Sequence, residues 1–477
     1  MKRRSIISIM CMAAAMTLAT SCNDSYPGLE YTPDNTDVPT NNEGNRFDKV
    51  PIKVYTKDPG YFSLLTRTRG TGAYENSQNR NIVVNVFAFR VGTDKFALGD
   101  ALGGQAAINS TVDLQYTAYS TQGGTKDADN EHCLVDGPDY NLGMPFVFMA
   151  PDSESGTIGV LQPKDKNTSL YYSGTYQDVG YNFFGYCIDD FKPTAENTHR
   201  TASSISYDIA LDGYRDIMLG YADSLRAAHF EPSGIYGEAG VAKADKETIL
   251  KMYGGYSTYA GHRNVNPIIN LKHQLARLSF QAYPGDASAN DVTIMDIKVE
   301  APARATMVVA GRRYKDGNMK FSSERNYFHL SEAPSKVGDP YPGKLKDGGY
   351  AVRWNSSLDK DGNMDRIVNI GSSLLLAPSN IYTVYITYKY HKKVNSLPGQ
   401  PAQYEDEVRT AKYNIKAPEG DVNTQDEAGN PVFKAGILYT IKIAVFGLQK
   451  ITIGGGVEGW KEYDHSINID PDSEDFS

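Results

Sequence analysis

The side chains best placed for covalent chemistry lie near the start of the chain. Cys22 directly follows Ala19, Thr20 and Ser21, and a cysteine after such small residues is where a bacterial lipoprotein precursor is cut and its new N-terminal thiol acylated. Upstream, Lys2, Arg3 and Arg4 precede an apolar run from Ile6 to Leu18, the charge-then-apolar order of a secretory signal. That run is too short to span a bilayer. Residues 1–21 are therefore expected to be a signal peptide, and Cys22 a lipidation site carrying a palmitate-type chain. A second reactive place is "SLLTRTRGTG", residues 63–72, which sets Arg67 and Arg69 in a short polar run. Composition alone describes a solvated turn, and position adds a reason to read both arginines as protease-processing sites. A single half-buried strand pattern lies before them and the bulk of the apolar sequence after them.

Other constellations are weaker. "DKDGNMD" puts Asp359, Asp361, Asn363 and Asp365 at alternate positions around Gly362, as a short calcium loop needs oxygen ligands. It lacks the distal glutamate of an EF-hand, and a solvated hairpin tip explains the same letters, so no metal site is assigned. His273 sits beside Leu271 and Leu275, the setting of a structural histidine. Cys11 falls in the signal and Cys22 at the lipid site, which leaves Cys133 and Cys187 for a disulfide or for two buried thiols; either fits an exported chain. There is no H-E-x-x-H, P-loop, C-x-x-C or G-x-S-x-G string. No catalytic residue, enzyme activity or cofactor is expected.

The elements that must carry these residues read as strands. With 33 Tyr, 44 Gly and 23 Pro, composition favours short strands and many turns. Residues 22–46, rich in Asn, Asp, Pro and Thr, cannot bury enough surface to offset their ordering entropy and are expected to form a tether. Val50, Ile52 and Val54 alternate with Pro51, Lys53 and Tyr55, the period of a half-buried strand over 50–56. "NIVVNVFAFR" (81–90) is apolar on both faces, as suits a central strand packed on two sides. "KADKETILKMY" (243–253) is the one persuasive short helix. The second half alternates almost throughout, with Tyr382, Val384, Ile386 and Tyr388 on one face, and such closely spaced strands argue for a β-sandwich. The formal net charge is −9, and loss of residues 1–21 takes it to −12, so nucleic acid is excluded as a partner class.

Cutting at Arg67 or Arg69 would release the tether together with the first strand, leaving unpaired backbone groups and an open apolar trough that another strand would fill. A candidate filler is the tail at 461–477, where Tyr463, His465, Ile467 and Ile469 alternate. Inserted into a second copy, such a tail would build a head-to-tail polymer. A frayed acidic terminus is the plainer reading of the same residues.

Taken in order, the lipobox ending at Cys22, "TRTRGTGAYEN" leading into "VVNVFAF", "YNFFGYCIDDF" followed by "GYRDIMLGYAD", "INLKHQLARLSF" and "YTIKIAVFGLQKITIGGGVEGW" resemble the fimbrillin family. These are the lipoprotein-derived pilus subunits of Bacteroidales-type bacteria, here in their Mfa-like form. The resemblance implies an all-β chain of two transthyretin-like Greek-key β-sandwich domains after a signal peptide and flexible tether. The Gly- and Tyr-rich stretch at 253–264 places the junction between domains at 47–262 and 263–460, and the resemblance implies removal of the strand 50–56 by an arginine-specific protease. Gly70 makes the bond after Arg69 slightly preferable to that after Arg67. It also implies export to the outer membrane through lipidated Cys22, and donor-strand exchange by the C-terminal segment with other fimbrial subunits, as homo- or heteropolymer. Extra length in 100–180 and 310–365 departs from stalk subunits and favours a tip or accessory subunit that contributes to adhesion, with a host or bacterial surface receptor as a further partner. Two alternatives stand beside this: an uncleaved anchor that keeps its lipid and first strand, and a surface-anchored glycan-binding lipoprotein, suggested by the tyrosines and Trp354.

Overall fold

Period-2 alternation governs nearly every ordered segment, and the computed structural model is accordingly built of strands. It describes residues 50–57, 83–90, 133–135, 142–149, 158–166, 170, 172, 180–250, 255–311, 319–354, 367–446, 450–459 and 465–467, with short gaps inside the longer stretches. In the first part of the chain these are β1 (Val54–Lys57), β2 (Val83–Arg90), β3 (Cys133–Val135), β4 (Met144–Met149), β5 (Ile158–Pro163), β6 (Tyr181–Ile188), β7 (Thr198–Arg200), β8 (Ser204–Ala210), β9 (Ile217–Ala222) and β10 (Ile268–His273). Then follow β11 (Ala276–Pro284), β12 (Val292–Pro302), β13 (Arg304–Gly311), β14 (Met319–Phe321), β15 (Arg325–His329), β16 (Tyr350–Ala351), β17 (Val368–Leu376), β18 (Ile381–Val394), β19 (Gln403–Lys416), β20 (Ile437–Phe446), β21 (Lys450–Gly459) and β22 (His465–Ile467). The named helices among the described residues are a 3-10 turn at Ala227–Phe230, α1 (Lys243–Leu250) in the segment with the helical pattern, and α2 (Thr258–Gly261). The fold is all-β, as expected. No helix among the described residues is long and apolar enough to cross a membrane.

The N-terminal strands form a ring. β2 pairs with β4 on one edge and with β6 on the other, so the path β2-β4-β5-β1-β10-β9-β6 closes on itself, with β3 continuing the β4 side of β2. Closure satisfies edge groups that an open sheet would leave exposed. The two-faced apolar character of β2 now has its reason. Val84, Val86 and Ala88 join the core inside the ring, while Phe87 joins a second core on the other face with Tyr186, Tyr207 and Met307.

That second core lies beneath a four-stranded sheet of order β14-β13-β8-β7. β8 comes from before residue 262 and β13 from after it, and they pair antiparallel from Arg304↔Ala210 to Gly311↔Ser204. The two parts of the chain therefore share a sheet. The remaining strands make a sandwich in which β17-β11-β20-β21-β22 faces β15-β12-β18-β19. Leu278, Phe280, Ile441 and Ile443 from one sheet and Ile297, Val299, Val384 and Ile386 from the other form its core. On β18 the face expected to be apolar, Tyr382, Val384, Ile386 and Tyr388, is the buried one.

Candidate assembly site

β1 occupies a slot between two strands of the ring. It runs antiparallel to β5, with Val54 opposite Leu161 and Lys57 opposite Ile158, and parallel to β10, with Tyr55 opposite Ile268 and Thr56 opposite Ile269. Before the strand proper the chain is already tied down: Ile52 donates its N–H to the Leu170 carbonyl at 2.8 Å, and Tyr172 donates to the Val50 carbonyl at 2.9 Å. Val50, Ile52, Val54 and Thr56 all point into the core, and Lys53 points to solvent. The one polar member is satisfied, since the Thr56 hydroxyl donates to the Ile269 carbonyl at 2.8 Å. Alternation in the sequence thus translates directly into a row of four inward plugs.

Several local features shape the seat for the first plug. Ser257 caps α2 by accepting from the Ala260 N–H at 3.2 Å, which turns the Gly/Tyr-rich stretch back against β1. Gly261, at the end of α2, lies so close that a β-carbon there would stand 2.8 Å from Val50 Cγ1 and 3.3 Å from the Tyr172 ring. Around this point the tyrosines cluster. Tyr256 donates to the Asp223 carbonyl at 2.9 Å, Tyr236 donates to the Asn266 carbonyl at 2.5 Å, and Phe183 packs edge-on to Tyr256. Burial raises the Tyr172 and Tyr256 hydroxyls well above the usual tyrosine range, so both stay neutral. The Tyr172 hydroxyl is buried without a hydrogen-bond partner among the described residues.

Burying three aliphatic side chains of this size is worth roughly 5–9 kcal/mol in total, and the flanking ladder bonds add about 0.5–1.5 kcal/mol each. That sum is comparable with the whole stability of an ordinary domain, about 5–15 kcal/mol. An empty slot is therefore not a resting state.

Where the predicted site residues fall follows from this geometry. Cys22, Arg67, Arg69 and the acidic string at 359–365 lie outside the described residues, as do 22–46 and most of the 461–477 tail. The arginines belong to the segment 58–82 that connects the end of β1 to the start of β2. Within the tail, β22 pairs antiparallel with β21, Ile467 opposite Gly455 and His465 opposite Val457, at the outer edge of its sheet. Cys187 is buried, its thiol donating to the Val83 carbonyl at 3.0 Å. His273 is buried with its Nδ1 2.7 Å from the Asp216 carboxylate, the two side chains 4% and 1% exposed, in keeping with a structural role. No group of three or more His, Cys, Asp or Glu side chains suited to a metal occurs among the described residues. Sequence reasoning did not find Gly261 or the Tyr172–Tyr256 cluster, although the density of Gly and Tyr at 253–264 was its trace.

An all-β chain with its first strand lodged inside a closed ring defines the class of architecture. No protein-family model and no curated protein matches the chain. Among solved structures it is similar to a candidate cell adhesion protein from Bacteroides uniformis, at 11% identity over 87% of this chain and 98% of that one, with a TM-score of 0.37. It is also similar to the tip fimbrial protein Mfa3 from Porphyromonas gingivalis (9% identity, 87% and 100% of the two chains, TM-score 0.30). The fimbrial anchor protein Mfa2 from the same organism is a third neighbour (9% identity, 87% and 100%, TM-score 0.28).

Proposed function

We propose that this chain is a structural subunit of a cell-surface fimbrium that assembles by donor-strand exchange. On this reading it is exported as an outer-membrane lipoprotein through Cys22, organised as two transthyretin-like sandwich domains, and cut after Arg67 or Arg69. The observation that carries the reading is the place of β1. It is the first strand of the described residues, it is paired on both edges, it buries four alternate side chains together with the residues just before it, and it is joined to β2 through the segment that holds both arginines. A cut there leaves β1 bound without covalent continuity, so an incoming strand of matching alternation can displace it with little net loss of hydrogen bonds. Donation by the chain's own tail is supported by the edge position of β22, from which a strand can detach without breaking a central ladder. The extra length in 100–180 and 310–365 supports a tip or accessory place with an adhesive role over a stalk.

The test is N-terminal sequencing of the protein recovered from sheared surface filaments, together with strand uptake by the purified chain after arginine-specific proteolysis. A start at Thr68 or Gly70, and release of the β1 fragment when a peptide of residues 461–477 or of a partner subunit's tail is added, is the expected outcome. Filament protein that still carries Cys22 and β1 makes the chain an anchor. A cleaved chain that takes up no strand removes donor-strand exchange altogether.

A further inference from the structure

The outward face of the sheet β15-β12-β18-β19 carries a feature that strand exchange does not use. Register aligns His329, Lys298, Tyr385 and Lys412 in one row across the four strands. Acidic side chains nearby are already engaged: Glu300 accepts from Arg325 at 3.0 Å, and Asp296 lies 3.0 Å from His329. Lys298 pairs with no carboxylate of the described residues. Its ammonium instead sits 4.5 Å from the centroid of the Tyr327 ring and 5.4 Å from that of Tyr385, and the two rings meet edge-to-face at 5.4 Å and 85°. Tyr327 lies on an edge strand and remains 45% exposed. Lys412 is exposed and likewise pairs with no carboxylate of the described residues. Beside the row, Thr383 donates to Asn414 at 3.0 Å, which leaves the amide N–H groups of Asn414 available for a ligand.

We propose that this face binds an acidic saccharide, with a carboxylate or sulfate on Lys298 and Lys412 and a sugar ring against Tyr327. Three facts on the surface select that chemistry. Two lysines with no carboxylate partner among the described residues share one row, two strands apart, on a chain whose net charge is −9, so the local field favours an anion against the overall one. An exposed aromatic ring held at right angles to a second ring offers a rigid flat contact for the C–H face of a sugar at small entropic cost. Hydroxyl and amide groups within the same sheet supply hydrogen bonds that a bare anion would not use. The face is open and the ligand small, so binding is weak per site and gains through repetition on a polymer.

The experiment is titration calorimetry of the purified chain with a heparin-derived hexasaccharide, with sialyllactose and with neutral lactose. Binding of an acidic probe and not of lactose is expected, weakening as salt is raised. Lys298→Gln and Tyr327→Ala should each lower the affinity at least tenfold, with Lys298→Arg retaining it and Lys320→Gln, on β14, unchanged. Both side chains are on the surface, so unchanged thermal melting certifies that the variants fold. Equal binding by wild type, Lys298→Gln and Tyr327→Ala, equal binding of lactose, or no binding of either acidic probe at millimolar concentration overturns the proposal.

Discussion

Two tyrosines of the cluster beside β1 differ in the hydrogen bonding of their hydroxyls, and that difference is measurable. Tyr256 donates to Asp223, whereas the Tyr172 hydroxyl is buried unsatisfied among the described residues. Tyr172→Phe is expected to be neutral or to stabilise by about 1 kcal/mol, and Tyr256→Phe to destabilise by about the same, in paired urea titrations. A reversed order would mean that Tyr172 has a partner in the folded protein. Asp245 supplies a pH test. The Arg263 guanidinium paired with it at 3.0 Å chiefly, and the hydrogen bond from Tyr259 in addition, hold its carboxyl below the ordinary range against the opposing effect of burial. A carboxyl lowered on folding stabilises the protein above its unfolded value of about 4, and that contribution disappears as the pH falls through the lowered folded value. Asp245→Asn should therefore melt below wild type at pH 7, with the gap closing under strong acid; a gap independent of pH would rule the pairing out.

At the scale of elements, β1 depends on a neighbour that never touches it through a ladder. Gly261→Val would place new atoms against Val50 Cγ1, which already sits 2.8 Å from where a β-carbon would be. Overpacking of this kind costs about 1–3 kcal/mol. The loss should be local, seen as faster amide exchange of Ile52 and Tyr55 with β18 unaffected; uniform acceleration would show that the strain spreads. The existence of β1, β2 and β18 was legible because β1 and β18 alternate and β2 is apolar on both faces; apart from Thr56 the inward residues of β1 and β18 are aliphatic or aromatic. The partners of β1 were not legible. β5 lies about a hundred residues downstream and β10 more than two hundred, and no local pattern encodes pairing at that distance.

At the scale of the molecule, the sheet shared by β8 and β13 couples the two parts of the chain. Leu275 and Leu375 pack in the same core as Phe87 and Tyr186, and Gln274 donates its N–H to the Ile217 carbonyl at 2.9 Å across the β10–β11 junction. A fragment ending at residue 262 lacks β10 and the β13–β14 cover of the ring. It should therefore be insoluble or molten, while the whole chain melts in one calorimetric transition. A soluble fragment with its own sharp melt would show that the ring is complete without β10. The expected boundary between 262 and 263 came from a Gly- and Tyr-rich composition, which marks a loop whatever strands lie beyond it.

Composition and alternation by themselves determined an acidic, strand-built chain with a leading half-buried strand, because periodicity and charge are local properties read one window at a time. Tertiary structure alone decided that this strand is clamped between β5 and β10, that β22 lies at a sheet edge, and that Lys298 stands over two tyrosines with no carboxylate partner among the described residues. Each depends on which distant segments become neighbours, and that choice is made by the closing of a ring and the burial of three shared cores.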